Sequence, residues 1–284
     1  FRFPAPGKVP IVVSGAEVKH QYSSSHDQLD EQWIKRTTEN EKKYFKKKWR
    51  GFIGNAYLKD IRWGKKIFLR NPKVTILSQV NKKHESDRPV VSTIVPCYNR
   101  KKMLKRTIKS LIKQDYTNQQ IIFVDDGSTQ ILEPFIKTQL KSFSGDWKII
   151  RISYNSGPGI ARKVGMQNCN GKFIQFLDSD DEALPNKISE QVKTLESNKE
   201  LLMTYGTTLV GKEDGNMVIL GRTNKIKQKI APLFPYYVYW TTSSIMWRRE
   251  YISEDSWLPL FGSEDLLFEF LNGLMDYPIA HTPS

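Results

Sequence analysis

The chain has 284 residues, 39% of them hydrophobic, which is enough for one large or two ordinary domains built around a real core. No run of about 18 apolar residues occurs, so no membrane span is expected, and the first residues show no signal-peptide pattern. The formal charge is +14, from 44 Lys and Arg against 30 Asp and Glu, and the two cysteines, Cys97 and Cys169, lack metal-ligand spacing. They fit buried thiols in a reducing compartment better than a disulfide framework.

Residues 1–50 read poorly as the start of a fold. Pro4, Pro6 and Pro10 are followed by Ile11-Val12-Val13, a polar stretch through Ser23-Ser24-Ser25-His26, and a charged helical pattern. Phe1 stands in mid-pattern, so the chain is expected to be part of a longer product. Most of the excess charge lies between residues 41 and 73, where twelve basic residues stand against Glu41 and Asp60, interleaved with Trp49, Phe52, Tyr57, Trp63 and Phe68. Such a segment suits anionic lipid, nucleic acid or an acidic glycan, and it equally suits a solvated connector with a few docked aromatics. Residues 51–88 read as a basic aromatic connector that closes in a polar linker, residues 79–88, before Pro89.

From Pro89 strand and helix signals alternate, which predicts an α/β fold with a mostly parallel sheet flanked by helices. Residues 90–95 are the first strand, stopped by Pro96. Leu104, Ile108, Leu111 and Ile112 recur at helical spacing. Residues 121–124 make a second strand, Leu132, Phe135, Ile136 and Leu140 a second helix, and residues 148–152 a third strand. Gly157-Pro158-Gly159 opens the next helix, with Pro where it costs no hydrogen bond. A fourth, largely apolar strand, Phe173-Ile174-Gln175-Phe176-Leu177, stops abruptly in Asp178-Ser179-Asp180-Asp181. Pro185 begins a helix bearing Ile188, Val192 and Leu195. Residues 201–205 and the stretches either side of Asp214-Gly215 read as strands joined by a turn.

Side chains two apart on an extended chain share a face, so Asp178 and Asp180 point together. Paired carboxylates at a strand end suit Mg²⁺ or Mn²⁺ already holding a substrate phosphate, and they also suit an acidic loop facing water. Three strand ends are polar: Pro96-Cys97-Tyr98-Asn99, Asp125-Asp126-Gly127-Ser128 and the acidic turn. Ligands of open α/β sheets bind beyond the carboxyl ends of strands, so the three should converge. Taken singly, Tyr98 reads as packing and Asp125-Asp126-Gly127-Ser128 as a turn with a helix cap.

In this order, with Asn155-x-Gly157, Ala161-Arg162 and Gly165 between them, the pieces resemble the nucleotide-binding half of family 2 glycosyltransferases with the GT-A (Rossmann-like) fold. The resemblance implies that Pro96, Tyr98, Asn99 and Asp126 hold the uracil end of a UDP-sugar and that Arg162 reaches base or phosphate. It sets Asp178 near the ribose and the metal, and Asp180 on the Mn²⁺ or Mg²⁺ that bridges the diphosphate. Lys163 departs from the family, where an Asn is usual. Farther on, the stretch from Trp240 through Ser243 to Arg248-Arg249 resembles the strand behind the acceptor site, and Glu264-Asp265 the family's Glu-Asp motif. By that resemblance Asp265 is the catalytic base, and Glu264, Trp240 and Ser243 bind the acceptor. The aromatic run 233–240 reads equally as a sugar platform or as core. In related modules a further strand and a His lie beyond the point where this chain stops.

Ala16-Glu17-Val18-Lys19-His20 and, later, Tyr44-Phe45 through Trp49 loosely resemble the tail of a preceding module of the same kind, with His20 as its late His. The expected function is metal-dependent, inverting transfer from a UDP-sugar to a glycan hydroxyl in surface polysaccharide synthesis. The alternative is a nucleotide-sugar-binding scaffold without turnover. The expected location is cytoplasmic, peripheral to the inner face of a membrane through residues 41–73, with no nucleic-acid partner.

Overall fold

The computed structural model describes residues 18–20, 72–82, 87–211, 217–219, 240–257, 264–273 and 277–282. Residues 41–71 of the basic segment, the aromatic residues 233–239 and the turn at Asp214-Gly215 lie outside them. The strands are β1 (Val18–His20), β2 (Val74–Val80), β3 (Val91–Cys97), β4 (Gln119–Asp126), β5 (Asp146–Ile152) and β6 (Phe173–Phe176). They continue with β7 (Glu182–Ala183), β8 (Met203–Tyr205), β9 (Thr208–Gly211), β10 (Met217–Ile219), β11 (Ile245–Arg248) and β12 (Ile279–His281). The helices are α1 (Lys101–Ile112), α2 (Glu133–Gln139), α3 (Pro158–Gln167), α4 (Lys187–Ser197) and α5 (Glu264–Gly273).

Eight strands form one sheet in the order β12-β8-β11-β6-β3-β4-β5-β2. The central ladders β6-β3-β4-β5 are parallel, and β11 and β2 run against their neighbours. This is the mostly parallel sheet that the alternating signals predict. Every residue of β4 is buried, because both sheet faces are covered. On one face Val95, Ile121, Phe123 and Ile149 meet Leu104, Ile108 and Leu111 of α1. On the other, Ile94, Ile122, Val124 and Ile150 meet Ala161 and Val164 of α3. The switch of partner from one residue to the next is the two-residue alternation of a strand. Helix α3 lies so close to β3 that a Cβ on Gly165 would come within 2.3 Å of Ile94 Cγ2.

Strand β3 does not stop at Pro96 but carries it, paired with Val124. The Ile94 carbonyl bonds toward the β6 side, accepting from the Leu177 amide at 3.0 Å. Pro96, two residues on, turns its missing donor to that same side, where β6 has already ended at Phe176. No ladder bond is lost.

The sheet also reaches into the stretch expected to be connector. Strand β2 pairs antiparallel with β5 from Val74↔Ile152 to Val80↔Trp147, with a bulge between Ile76 and Ser78. Its weak pattern has a physical cause: as the outermost strand it leaves Val74 and Ile76 exposed, so burial imposes little alternation on it. Likewise β12, in a stretch with no predicted element, extends the opposite end of the sheet by pairing with β8. A smaller sheet has the order β10-β9-β1-β7. In it β9 and β10 pair antiparallel across Asp214-Gly215 as expected, and the short strand ending in His20 pairs with β7 and β9 of this module.

Candidate active site

The polar ends of the parallel strands are fastened to one another. The Asn99 amide donates to Ser128 Oγ at 3.0 Å, and Asn99 Oδ1 accepts from the Thr129 amide at 2.9 Å, which joins the ends of β3 and β4. Asn99 takes φ 52°, a left-handed conformation that Asn tolerates better than most residues. Asp125 is buried, accepts from the Ser128 amide at 3.0 Å and pairs with Arg151 of β5. Asp126 receives the amides of Ser156 and Gly157, each at 2.8 Å, so it fixes the loop from β5 into α3. Burial pushes its carboxyl up to about 6, with a further push from Asp125, and the two amides oppose the rise. Gly127 follows at φ 71°, with the Tyr154 backbone 2.5 Å from where a Cβ would stand, so only glycine fits there. Tyr98 and Tyr154 keep exposed rings at the ends of β3 and β5.

The acidic turn after β6 is tied to α5 by one side chain. Arg162, on α3 and 2% exposed, donates to Asp178 Oδ1 at 2.7 Å and to Glu264 Oε1 at 2.8 Å. Burial works against its charge, but Asp178, Glu264 and Asp265 outweigh it and hold the guanidinium's pKa above its ordinary value. Its flat face lies over Trp257, 5.0 Å from the ring centroid, and Trp257 in turn stacks on Phe268 of α5 at 4.1 Å. Asp180 pairs with Arg100, the residue just before α1, so the end of β3 and the acidic turn also meet. Beyond Arg162, Asp265 accepts from Thr242 Oγ1 at 3.0 Å and from the Leu266 amide at 2.9 Å. Asp181 accepts from Ser243 Oγ at 2.5 Å.

Asp178, Asp181 and Glu264 are thus joined through Arg162 and Ser243, and their chain neighbours Asp180 and Asp265 are held by Arg100 and Thr242. Residues 92–254 of the chain match the family model described as Glycosyl transferase family 2. The chain belongs to glycosyltransferase family 2. Over 141 residues it is 33% identical to an uncharacterized glycosyltransferase of Haemophilus influenzae, covering 48% of this chain and 54% of that protein. Over 129 residues it is 31% identical to the GalNAc(5)-diNAcBac-PP-undecaprenol beta-1,3-glucosyltransferase of Campylobacter jejuni, covering 45% of this chain and 41% of that one. The chain therefore spans about half the length of these relatives. Its fold is similar to that of S. aureus TarS residues 1–349, with a TM-score of 0.54 at 23% identity, over 67% of this chain and 57% of that fragment. The complex of the same TarS fragment with UDP-GlcNAc gives 0.54 at 21% identity, over 67% and 55%. The expected GT-A fold is the fold of this chain.

Within this family 2 module, two residues expected to bind the acceptor are buried. Trp240 is 3% exposed, donates from Nε1 to Glu269 Oε2 at 2.8 Å and packs on Tyr205, so it has no face left for a sugar. Of the aromatic run 233–240, Trp240 is core and the rest lies outside the described residues. Ser243 is buried and its hydroxyl is used within the chain, accepting from the Asp178 amide at 3.1 Å while donating to Asp181. Pro96, Tyr98, Asn99, Asp126, Arg162, Asp178 and Asp180 do gather at neighbouring strand ends, with Glu264 and Asp265 reached through Arg162 and Thr242.

The sequence reading overlooked Arg100, Thr242 and Trp257. Arg100 directly follows the Pro-x-Tyr-Asn stretch and could have been noticed, whereas nothing in the spacing of Thr242 marks it.

Among the described residues no three Asp, Glu, His or Cys converge on one point as a complete cation cage. Among the described residues, Asp178 and Glu264 pair with Arg162 and Asp180 pairs with Arg100, and oxygen donors of this kind suit Mn²⁺ or Mg²⁺. Asp178 and Asp180 keep 16% and 12% of their side chains accessible. A cation held by one or two carboxylates would complete its shell with water and diphosphate oxygens.

Proposed function

We propose that this module transfers a sugar from a UDP-sugar to a glycan hydroxyl with inversion, using Asp265 as base and Mn²⁺ or Mg²⁺ at Asp180 with Asp178 beside it. The observation that carries the proposal is the Arg162 bridge, 2.7 Å to Asp178 and 2.8 Å to Glu264, which makes the acidic turn and the start of α5 parts of one site. Tyr98 offers an exposed ring for the uracil, and Pro96, Asn99 and Asp126 shape the loops beside it. Family membership and the glucosyltransferase named among the relatives support sugar transfer. TarS has been solved with UDP and with UDP-GlcNAc, which agrees with a UDP-sugar donor.

A divalent cation, when bound, neutralises charge on the departing diphosphate. The chain's own residues do the rest. Asp265 lies at the first turn of α5, where the helix end favours negative charge, and its two bonds aim the carboxylate to receive the acceptor's proton. Glu264, turned by Arg162, lines the acceptor side. We assign the module to surface polysaccharide synthesis at the cytoplasmic face of a membrane. Residues 1–50 are proposed to be the tail of a preceding module, with residues 41–73 the contact with anionic lipid.

The test is UDP release from UDP-GlcNAc and other UDP-sugars, with Mn²⁺ and glycan acceptors, on the full-length protein. Asp265→Asn is expected to lower turnover by about 10²–10⁴-fold with UDP binding retained. Unchanged turnover in that variant removes Asp265 as base, and UDP binding without any release in wild type favours the scaffold alternative.

A further inference from the structure

Two adjacent residues, Thr242 and Ser243, touch the two halves of the site separately. They stand on the short 3-10 turn Thr242–Ser244, and neither hydroxyl is turned to solvent. Thr242 donates to Asp265 at 3.0 Å, while Ser243 donates to Asp181 at 2.5 Å and accepts from the Asp178 amide at 3.1 Å. A backbone peptide therefore separates the group that holds the base from the group that holds the acidic turn.

The turn itself is fixed from below. Thr241 and Ser244 cap each other reciprocally, and the Ser244 carbonyl accepts from Gln191 Nε2 at 2.7 Å and from the Gly206 amide at 3.1 Å. Gln191 is held by Lys187 Nζ at 2.9 Å, and Lys187 also donates to Gln175 on β6. Lys187, Gln175 and Gln191 are buried. This polar layer runs from the strand that delivers the acidic residues to the turn that braces them. Buried hydrogen bonds of this kind hold geometry because a broken one leaves an unpaired polar group away from water.

We propose that the turn Thr242–Ser244 is a rigid spacer that sets the separation of the donor-side acidic turn from the base, with Ser243 and Thr242 as positioning residues for one half each. The proposal rests on the function given above, in which residues 178–181 face the donor and Asp265 takes the proton. It makes the two neighbours separable. Ser243 governs how well the donor end binds, and Thr242 governs the charge and aim of Asp265.

The test uses UDP with MnCl₂ as the binding probe and the titration of the Asp265 carboxyl, followed by NMR, as the second readout. Ser243→Ala is expected to weaken UDP by about tenfold, the size of a lost hydrogen bond to a charged group, and to leave the Asp265 titration in place. Asp181→Asn, which keeps the volume but weakens the same bond, is expected to change UDP binding in the same direction. Thr242→Val is expected to leave UDP affinity within about twofold and to move the Asp265 titration to higher pH, because a donor to the charged form is gone. Thr242→Ser, which keeps the hydroxyl, restores the wild-type titration. If both variants weaken UDP alike, or if Thr242→Val leaves the Asp265 titration unmoved, the spacer is overturned. A wild-type chain that fails to bind UDP overturns the donor-site reading itself, a result distinct from the other two.

Discussion

The loops at the strand ends are fastened largely through backbone amides, whereas α5 and the turn Thr242–Ser244 are fastened by side chains arriving from far along the chain. Asp126 receives two loop amides, and Asn99 and Ser128 join adjacent strands. The Arg162–Glu264 pair spans 102 residues and the Ser243–Asp181 bond 62. The difference teaches where each half is vulnerable. Parallel strands set the strand-end loops by their own geometry, but α5 and the Thr242–Ser244 turn join them through a few individual bonds, so single substitutions should detach them.

Arg162 is the largest such bond. Arg162→Met removes one cation from buried Glu264 and partly buried Asp178, and breaking a buried ion pair from one side costs about 3–5 kcal/mol. Chemical denaturation should show that loss. Arg162→Lys, which keeps the charge but not the planar fork, should recover only part of it. A cost under about 1 kcal/mol, the range of a surface pair, would mean that the bridge does not join the halves.

A smaller effect separates the two regions by pH. Asp126 has a folded pKa raised from 3.8 to about 6 by burial, so the folded chain holds its proton more tightly than the unfolded one. Its stabilising contribution is complete below about pH 4 and is lost as pH rises through 6. Lys187, beneath the Thr242–Ser244 turn, has its pKa lowered from 10.5 to about 7 by burial. The unfolded chain then binds the extra proton, so its contribution grows from pH 7 toward 10.5 and is lost on the way down through 7. Melting temperatures should accordingly carry a falling limb between pH 4 and 6 and a rising limb above 7. Asp126→Asn should flatten the first and Lys187→Met the second. Limbs that survive these substitutions would assign the titrations to other groups.

The same contrast explains what the sequence could disclose. The buried strands that lead into Asn99, Asp126 and Asp178 announce themselves, because an apolar run that stops in polar residues has both a hydrophobic and a chemical signature. Arg162 and Asp265 are legible beside them through the family's motifs. Strand β2 is not, since an edge strand with Val74 and Ile76 in solvent carries little periodicity. Trp240 misleads for the opposite reason: an aromatic ring suits a sugar platform and a core equally, and its Glu269 partner lies 29 residues away. Thr242 has no signature at all, because a hydroxyl's role depends on what the fold brings within 3.0 Å of it.

The central claim is that the acidic turn and the start of α5 belong to one active site. A crystal structure of the chain with UDP and MnCl₂ tests it most directly. The account predicts uracil on Tyr98, the metal against Asp180 with Arg100 moved off it, and the diphosphate on the side that Asp265 faces. Nucleotide bound away from the ends of β3 and β6, or a metal held without Asp180, would contradict it.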